Sequence, residues 1–424
     1  MSDPSQREIR LERAAVALTL QGTTTPRTGV AMRDLGAVEN ATVVIRGPEI
    51  AWVGPASEAP EAAGDALTVD CHNKTLMPGL VDSHTHLVWA GHRRDELELR
   101  LAGADYEAIF AAGGGILSSV RATRAASEDA LFEQSLARAE RMRRCGTTSF
   151  EIKSGYGLDL DTELKQLRVA RRLAASGFRV KATCLAAHAI PEEARGSNED
   201  RARFVQHICE AILPAVADAS LADYCDVFCD RGAFTIQEAR EVLRAAIALG
   251  FETRVHANEF GHTGGAVLAA EVGARSADHL LHLDDHEISL LRETGVIATM
   301  LPGTSLVLGK PFADGRALID QGLALAVASD CNPGSCAFEN LAMVLALACY
   351  GCKLSPAEAI CAVTHNAAAS LGIADQVGRI EAGLAADILV LDTTDYRDLV
   401  YHAASPIIES VWNDGVCVTS PGAD

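Results

Sequence analysis

His84 and His86 are the first residues in this sequence whose type and spacing suit a metal site. One residue separates them, and the apolar run that ends at residue 81 predicts a buried strand just before them. Alternate side chains of an extended chain share one face and are about 6.6 Å apart along it, so two imidazoles there can bind one divalent metal ion. A single His-x-His pair is a weak signal, and the prediction depends on further ligands downstream.

Further side chains that can bind a metal or a substrate follow other predicted strands. They are His188, His256 with Glu259 three residues later, His279 and Asp330. Five of the 13 histidines in the chain stand at predicted strand ends, which a random distribution would not place there so often. This recurrence predicts one metal site to which several strands contribute.

His84, His86, His256 and Asp330 together offer three imidazole nitrogens and one carboxylate oxygen. Such a set suits Zn2+ and also Fe2+, Mn2+ or Ni2+, and a metal bound there lowers the pKa of a water ligand to about 7. Asp330 could bind the metal, take up the proton of that water and pass it to a departing nitrogen. His279 could donate a hydrogen bond to a carbonyl oxygen as negative charge develops on it.

Eight apolar, strand-like runs that alternate with helical patterns must position these residues. They cover residues 76–81, 147–152, 178–185, 224–228, 252–255, 276–278, 296–301 and 323–328. This alternation predicts an α/β fold, a (β/α)8 TIM-type barrel, whose active site lies at the C-terminal ends of the strands. The end of the fourth run, residues 226–229, contains no lysine that could bridge a second metal ion after carbamylation, so one metal ion per chain is predicted.

Both ends of the chain have β-rich patterns. Two apolar runs flank a Gly-Pro-Glu turn at residues 47–49, and two more flank an Asn-Asp-Gly turn at residues 413–415. Two β-rich ends around an α/β middle predict a small composite β-sandwich domain. We expect residues 1–77 to form its N-terminal part, residues 78–375 the metal-dependent barrel and residues 376–424 its C-terminal part.

The composition narrows the classes of partner. The 37 basic and 57 acidic residues give a formal net charge of −20, which repels nucleic acids and anionic membrane surfaces. The longest apolar run, residues 341–349, is well short of the ~18 residues that a membrane span needs. No signal-peptide pattern is visible and the 12 cysteines are scattered, so we expect a reducing, cytoplasmic location. A homodimer is expected because it is the commonest closed assembly.

Two motifs resemble those of a known superfamily. Residues 78–86, PGLVDSHTH, resemble the first-strand signature of the amidohydrolase superfamily, and residues 378–387, GRIEAGLAAD, resemble its return into the small β domain. Four other stretches are more specific and resemble the imidazolonepropionase family of histidine degradation. They are residues 151–165 (EIKSGYGLDLDTELK), 187–191 (AHAIP), 276–280 (SADHL) and 330–335 (DCNPGS).

The resemblance implies a reaction and a set of site residues. It implies hydrolysis of the cyclic amide C–N bond of 4-imidazolone-5-propanoate to N-formimino-L-glutamate, the third step of histidine degradation, with one bound Zn2+ or Fe2+/Fe3+. The implied metal ligands are His84, His86, His256 and Asp330, and the implied catalytic residues are Asp330, His279 and Glu259. The implied contacts to this small anionic substrate are Arg93, Tyr156, His188, Glu259, Asn332, Gly334 and Ser335, of which Arg93, with Tyr156, would hold the propanoate.

The chain departs from the family pattern at residues 304–307 (TSLV), at Asn258 and at residues 336–337 (CA). These positions are expected near the pocket mouth, so they leave the ligands intact and the shape of the pocket open. One alternative is another cyclic amidohydrolase or a deaminase of the same superfamily, which would have no particular need for Arg93 with Tyr156. A second alternative is a non-catalytic scaffold, which should have lost metal ligands.

Overall fold

The computed structural model describes residues 7–103 and 114–419. The strands in these ranges are β1 Glu8–Leu18, β2 Ala37–Arg46, β3 Glu49–Pro55, β4 Leu67–Asp70, β5 Thr75–Pro78, β6 Leu80–Asp82, β7 Thr147–Lys153, β8 Arg179–Ala187, β9 Tyr224–Cys229, β10 Glu252–Ala257, β11 Ser276–His279, β12 Ile297–Met300, β13 Leu325–Val327, β14 Ile388–Leu391, β15 Ile408–Asn413 and β16 Val416–Thr419. The α-helices are Arg94–Leu101, Ile116–Ala125, Glu128–Arg144, Leu160–Ala175, Asn198–His207, Leu213–Asp218, Ile236–Ala248, Gly265–Glu271, Asp285–Thr294, Pro302–Leu308, Gly315–Asp320, Leu341–Tyr350, Pro356–Ala362, His365–Ser370 and Asp398–Tyr401. Short 3-10 helices cover Gly29–Arg33, Ala56–Glu58 and Glu192–Ala194, and a π-helical turn covers Ile208–Ile212.

Strands β6 to β13 form the barrel. They pair in chain order in one eight-stranded sheet, and the described pairs are parallel. Each connection between successive strands contains at least one helix. Nearly all residues of these strands are buried, as expected for a parallel sheet that is covered on both faces. The predicted (β/α)8 barrel is confirmed, and each predicted run overlaps one barrel strand.

The first predicted run, residues 76–81, is not a single strand. The chain changes sheet at Gly79, because β5 pairs with β1 and β14 whereas β6 pairs with β7. A Cβ atom on residue 79 would lie 2.3 Å from Oγ1 of Thr148, so a side chain does not fit where the chain passes β7. The break is invisible in the hydrophobic pattern since β5 and β6 are both fully buried.

The second sheet is built from both ends of the described chain. Its strands run in the order β16-β15-β14-β5-β1-β2-β3, and β4 also pairs with β1. Strand β1 pairs with β4 through residues 9–12 and with β5 through residues 16–17, so the sheet forks along β1. Leu11, Ile45, Leu76 and Ile388 belong to its separate apolar cluster. The predicted composite β domain is therefore confirmed.

Local sequence signals start several of the helices that return the chain to the barrel. Ser127 and Asp159 accept backbone hydrogen bonds as N-cap residues, and Thr235, Asp284 and Ser355 each form a complete capping box. The helices carry the chain from the C-terminal rim back to the start of the next strand, so the strand ends converge on one rim. None of the described helices combines the length and the hydropathy needed to cross a lipid bilayer.

Candidate active site

Three histidine side chains converge at the C-terminal rim of the barrel. His84 and His86 follow β6, His256 lies in β10, and all three are buried. One ring nitrogen of each lies within 4.8 Å of the other two, and the Nε2 atoms of His86 and His256 are 3.4 Å apart. Two ligands of a tetrahedral zinc ion are separated by about 3.3 Å when each bond is about 2.05 Å long. The spacing of the histidines therefore fits a single metal ion.

Asp330 joins this cluster from the segment that follows β13. Its Oδ1 lies 3.5 Å from Nε2 of His84 and 3.6 Å from Nε2 of His86. Its φ of +54° is in the left-handed region, which non-glycine residues adopt mainly where the surrounding structure imposes it. Burial raises the pKa of Asp330 to about 6, and a neighbouring cation would lower that pKa again. The structure thus brings together the four residues that the sequence predicts as ligands.

The protonation of the histidines also suits a metal ion. Burial lowers the pKa of His84 and His86 well below the ordinary value, so both rings are neutral at pH 7. The Nδ1 atom of His84 donates to a carboxylate, which leaves the lone pair on Nε2, and this buried atom has no hydrogen-bond partner in the described chain. An unpaired buried acceptor is costly, and a metal ion would satisfy it.

Two buried aspartates orient the histidines from behind. Nδ1 of His84 lies 2.7 Å from Oδ2 of Asp278, and Nδ1 of His256 lies 2.9 Å from Oδ2 of Asp226. Such carboxylate–histidine contacts hold the ring orientation and the tautomer of a metal ligand. Neither aspartate is among the predicted site residues, although Asp278 directly precedes His279 and Asp226 lies at the lysine-free end of the fourth predicted strand.

His279 and Glu259 form a second polar pair on the rim. His279 ends β11 with a φ of +78°, and its Nδ1 lies 3.7 Å from Oε2 of Glu259. Burial lowers the pKa of His279 well below its ordinary value, so this imidazole is neutral at pH 7, and burial raises the pKa of Glu259 well above its ordinary value. The carboxylate of Asp230 accepts the backbone N–H of Glu259 at 2.6 Å and holds this segment in place.

Tyr156 and His188 lie against one face of His86. The rings of His86 and His188 are stacked with their centroids 4.8 Å apart, and the ring of Tyr156 lies 5.4 Å from His188 and 5.9 Å from His86. Nδ1 of His188 is hydrogen-bonded to the carbonyl oxygen of Gly155 at 3.0 Å. Both predicted substrate contacts therefore lie beside the histidine cluster.

Arg93 lies at the start of the helix Arg94–Leu101 and contacts the segment after β13. A Cβ atom on Gly334 would lie 1.8 Å from Nη1 of Arg93, so the guanidinium rests directly on this glycine. Glu96, which accepts two hydrogen bonds from Arg93, also accepts the backbone N–H of Gly115 at 2.8 Å. Glu96 was missed from the sequence, although its position three residues after Arg93 on a helix is a usable signal.

The side chain of Asn332 shapes the turn that connects Asp330 to Gly334. Its Oδ1 accepts the backbone N–H groups of Gly334 and Ser335, both at 2.8 Å, and its Nδ2 donates to the carbonyl oxygen of Asp330 at 2.7 Å. Nδ2 also donates to Oγ of Ser335 at 2.8 Å. In this structure the described hydrogen bonds of Asn332 serve the turn, which connects Asp330 in the cluster to Gly334 beside Arg93.

The departures from the family pattern have definite partners. Oγ1 of Thr304 donates to Oδ2 of Asp330, so this residue supports the cluster rather than the pocket mouth. Asn258 donates to the carboxylate of Glu287 and to the carbonyl oxygen of His282, both at 2.8 Å. Cys336 is buried against Gly303, where an added Cβ atom would lie 2.6 Å from the sulfur.

Comparison with known proteins agrees with this architecture. A family model described as amidohydrolase family matches residues 75–418, a range that includes all the candidate metal ligands and substrate contacts. The chain belongs to the amidohydrolase family. This amidohydrolase is 43% identical over 390 residues to an imidazolonepropionase of Clostridium tetani, with 91% of this chain and 92% of the relative covered. It is 42% identical to an imidazolonepropionase of Geobacillus thermodenitrificans, with 98% and 99% covered.

Solved structures show the same fold at lower identity. An adenosine deaminase from Xanthomonas campestris with bound zinc has a TM-score of 0.71 and 20% identity, and the match covers 99% of this amidohydrolase and 94% of that chain. An ochratoxinase from A. niger has a TM-score of 0.69 and 19% identity, with 98% of this amidohydrolase and 96% of that chain covered. These likenesses support the barrel with its additional β domain.

Proposed function

We propose that this amidohydrolase hydrolyses the cyclic amide C–N bond of 4-imidazolone-5-propanoate and releases N-formimino-L-glutamate. The observation that carries the proposal is the short turn from Asp330 to Gly334, which joins the histidine cluster to the guanidinium of Arg93. A substrate with a reactive ring carbonyl and a carboxylate on a short side chain matches these two features. The names of the curated relatives support the same reaction.

In this proposal one metal ion, Zn2+ or Fe2+/Fe3+, is held by His84, His86, His256 and Asp330. When bound, such a metal polarises the ring carbonyl and acidifies a water molecule. Three imidazoles and one carboxylate form a donor set that suits either metal.

The chain's own groups complete the reaction. Asp330 accepts a proton from the attacking water and passes it to the ring nitrogen as the carbonyl–nitrogen bond breaks. The former carbonyl carbon becomes a carboxylic acid, which releases the second proton of the water to solvent and ionises to the carboxylate. His279 donates a hydrogen bond to the carbonyl oxygen as its negative charge grows. Glu259, whose pKa is raised well above its ordinary value by burial, hydrogen-bonds the substrate ring beside His279.

The remaining residues bind and orient the substrate. Arg93 binds the propanoate as a charge-assisted contact, with the hydroxyl of Tyr156 as a second donor. His188, stacked on His86, confines the ring of the substrate. Gly334 and Ser335, held by Asn332, line the carboxylate end of the pocket.

The test is a steady-state assay of the purified, metal-analysed protein on freshly generated 4-imidazolone-5-propanoate. Hydantoin, dihydropyrimidine, cytosine and guanine are assayed in parallel. Turnover of the imidazolone alone, with one metal ion per chain, supports the proposal. Turnover of cytosine or guanine would instead identify a deaminase, and a fully metal-loaded protein that leaves the imidazolone intact would overturn the proposed reaction.

Three features of the organisation are further proposals. The proposed β domain comprises residues 1–77 and 376–424 and the proposed metal-dependent barrel residues 78–375; of these, residues 1–6, 104–113 and 420–424 lie outside the described ranges. The protein acts in the cytoplasm, where an intermediate of amino-acid breakdown is available. It forms a homodimer, for which the support is that dimers are the commonest closed assembly. Sedimentation at several protein concentrations tests the dimer.

A further inference from the structure

Five charged side chains without solvent exposure lie inside the barrel behind the histidines. They are Glu151 and Lys153 of β7, Asp226 of β9, Arg254 of β10 and Asp278 of β11. Three carboxylates and two cations leave one net negative charge in this group, which we call the buried charge network. Charges are rarely this deep unless each is paired, so the network needs a reason beyond stability.

Lys153 is the link between the two aspartates that contact histidines. Its Nζ donates to Oδ2 of Asp226 at 2.7 Å and lies 3.7 Å from Oδ2 of Asp278. These same oxygens lie 2.9 Å from Nδ1 of His256 and 2.7 Å from Nδ1 of His84. One ammonium group therefore stands behind two of the three histidines of the cluster.

Lys153 offsets the repulsion between these two aspartates. Asp226 and Asp278 carry like charges and are both fully buried, so each would repel the other strongly if no cation stood between them. An ammonium is a compact charge with three donors, so it can contact several oxygens at once. Burial favours loss of the Lys153 proton, but Asp226 and Glu151 outweigh it and raise the pKa of Lys153 above its ordinary value.

Arg254, the other cation of the buried charge network, does not make the same contacts as Lys153. Its Nη2 donates to the carbonyl oxygen of Ser83, and its Nη1 donates to that of Ser370, both at 2.9 Å. The Nη2 atom lies 3.5 Å from Asp278, whereas no described contact joins Arg254 to Asp226 at ion-pair distance. Asp226, and through it His256, thus depends on Lys153.

We propose that Lys153 is a positioning residue for the metal centre, because it holds the two aspartates that aim His84 and His256. The inference rests on the proposed function only in that the histidine cluster binds a metal ion. Removal of a group behind a metal ligand weakens metal binding by about 10- to 100-fold. The Lys153→Met variant should therefore bind Zn2+ about 10- to 100-fold more weakly than the parent protein.

The affinity is measured on metal-free protein by competition with a colorimetric zinc chelator, with no substrate present. The matched control is Arg316→Met, which likewise removes one of the two cations paired with a fully buried carboxylate, that of Glu358. This control should lower thermal stability without weakening Zn2+ binding. A Lys153→Met protein that loses thermal stability like the control but binds Zn2+ as the parent does would overturn the proposal.

A second comparison of two variants covers the case in which Lys153→Met does not fold. Asp226→Asn and Lys153→Met/Asp226→Asn are compared, since the double variant keeps the net charge of the buried charge network. The double variant should bind Zn2+ several-fold more weakly than Asp226→Asn, because Asp278 has lost its ammonium as well. Equal affinities would overturn the role of Lys153. A parent protein that binds Zn2+ but leaves the imidazolone intact would contradict the proposed function alone.

Discussion

Arg93 and Glu96 form a two-pronged ion pair at the mouth of the barrel. Nε of Arg93 donates to Oε1 of Glu96 at 2.8 Å, and Nη2 donates to Oε2 at 2.7 Å. This geometry occupies one edge of the guanidinium and leaves Nη1 above Gly334. Glu96 is largely buried, so the arginine is held in one orientation before any substrate arrives. Pre-orientation of this kind reduces the entropy cost of binding.

Arg93→Ala is expected to raise the KM for 4-imidazolone-5-propanoate by about 10- to 100-fold, which is the range for a lost charged hydrogen bond. The kcat should change much less, because Arg93 binds the propanoate and not the reacting carbonyl. Steady-state kinetics measures both constants. Arg94→Ala is the control, since Arg94 is the neighbouring arginine and is exposed. An unchanged KM in Arg93→Ala would favour the alternative reactions that need no carboxylate partner.

Gly334→Ala should reproduce much of the Arg93→Ala effect without touching the arginine itself. The added Cβ atom would lie 1.8 Å from Nη1 and 2.4 Å from Cζ of Arg93, so the guanidinium must move away. We expect a raised KM with a nearly unchanged melting temperature. Gly64→Ala is the matched control, because an added Cβ atom there meets nothing within 4 Å. Normal kinetics in Gly334→Ala would mean that the position of Arg93 does not matter for binding.

Gly79→Ala is expected to destabilise the protein by about 1 to 3 kcal/mol, the usual cost of overpacking. The new Cβ atom would lie 2.3 Å from Oγ1 and 2.6 Å from Cγ2 of Thr148, and a β-branched residue in a strand cannot easily turn aside. Urea unfolding measures the loss. Gly79→Ala/Thr148→Ala should recover part of it, and a double variant as unstable as the single one would place the strain elsewhere.

His365 predicts a specific pH dependence of stability. Its Nε2 is hydrogen-bonded to the carbonyl oxygen of Thr25 at 2.8 Å, and burial lowers its pKa to about 4. In the unfolded chain the imidazole of His365 has a pKa of about 6.5, so below that pH it binds a proton that the folded chain does not bind. The contribution of His365 to the free energy of unfolding is therefore complete above about pH 6.5 and falls as the pH drops toward about 4. The expected loss from this residue is about 3 kcal/mol.

His365→Gln keeps a hydrogen-bond donor and removes the titration. The free energy of unfolding of both proteins is measured in urea between about pH 4.5 and pH 7.5, a range that includes the unfolded-state pKa of about 6.5. The two curves should diverge as the pH falls. The parent protein should lose more stability on acidification than the variant, since the other buried histidines titrate equally in both. Parallel curves would show that His365 is not buried in neutral form.

The hydrophobic pattern was sufficient to predict the barrel but not its first junction. Parallel strands covered on both faces are continuous apolar runs, and eight such runs separated by helical patterns admit few folds. Gly79 ends one buried strand and begins another, so the run across it has no change in polarity. Only the position of Thr148 on the neighbouring strand shows why a glycine must stand there.

The candidate ligands were predictable because parallel strands bring their C-terminal ends to one rim. A histidine or aspartate after each strand is then close to the others whatever the sequence distance. His84 and Asp330, 246 residues apart by their numbers, meet in this way, and the backbone N–H of Asp330 donates to the carbonyl oxygen of His84 at 3.0 Å. The ligand-bearing segments thus help to close the barrel.

The sequence by itself determined the fold class, the β domain made from both ends, and the set of side chains that gather at the rim. It could do so because periodicity and strand order are local properties that the chain displays along its length. Only the tertiary structure decided how those side chains are held. Glu96 holds Arg93 by two hydrogen bonds. Asp226 and Asp278 orient His256 and His84, and Lys153 lies close to both aspartates. Pairings between buried charges depend on distances across strands, and no sequence spacing records those distances.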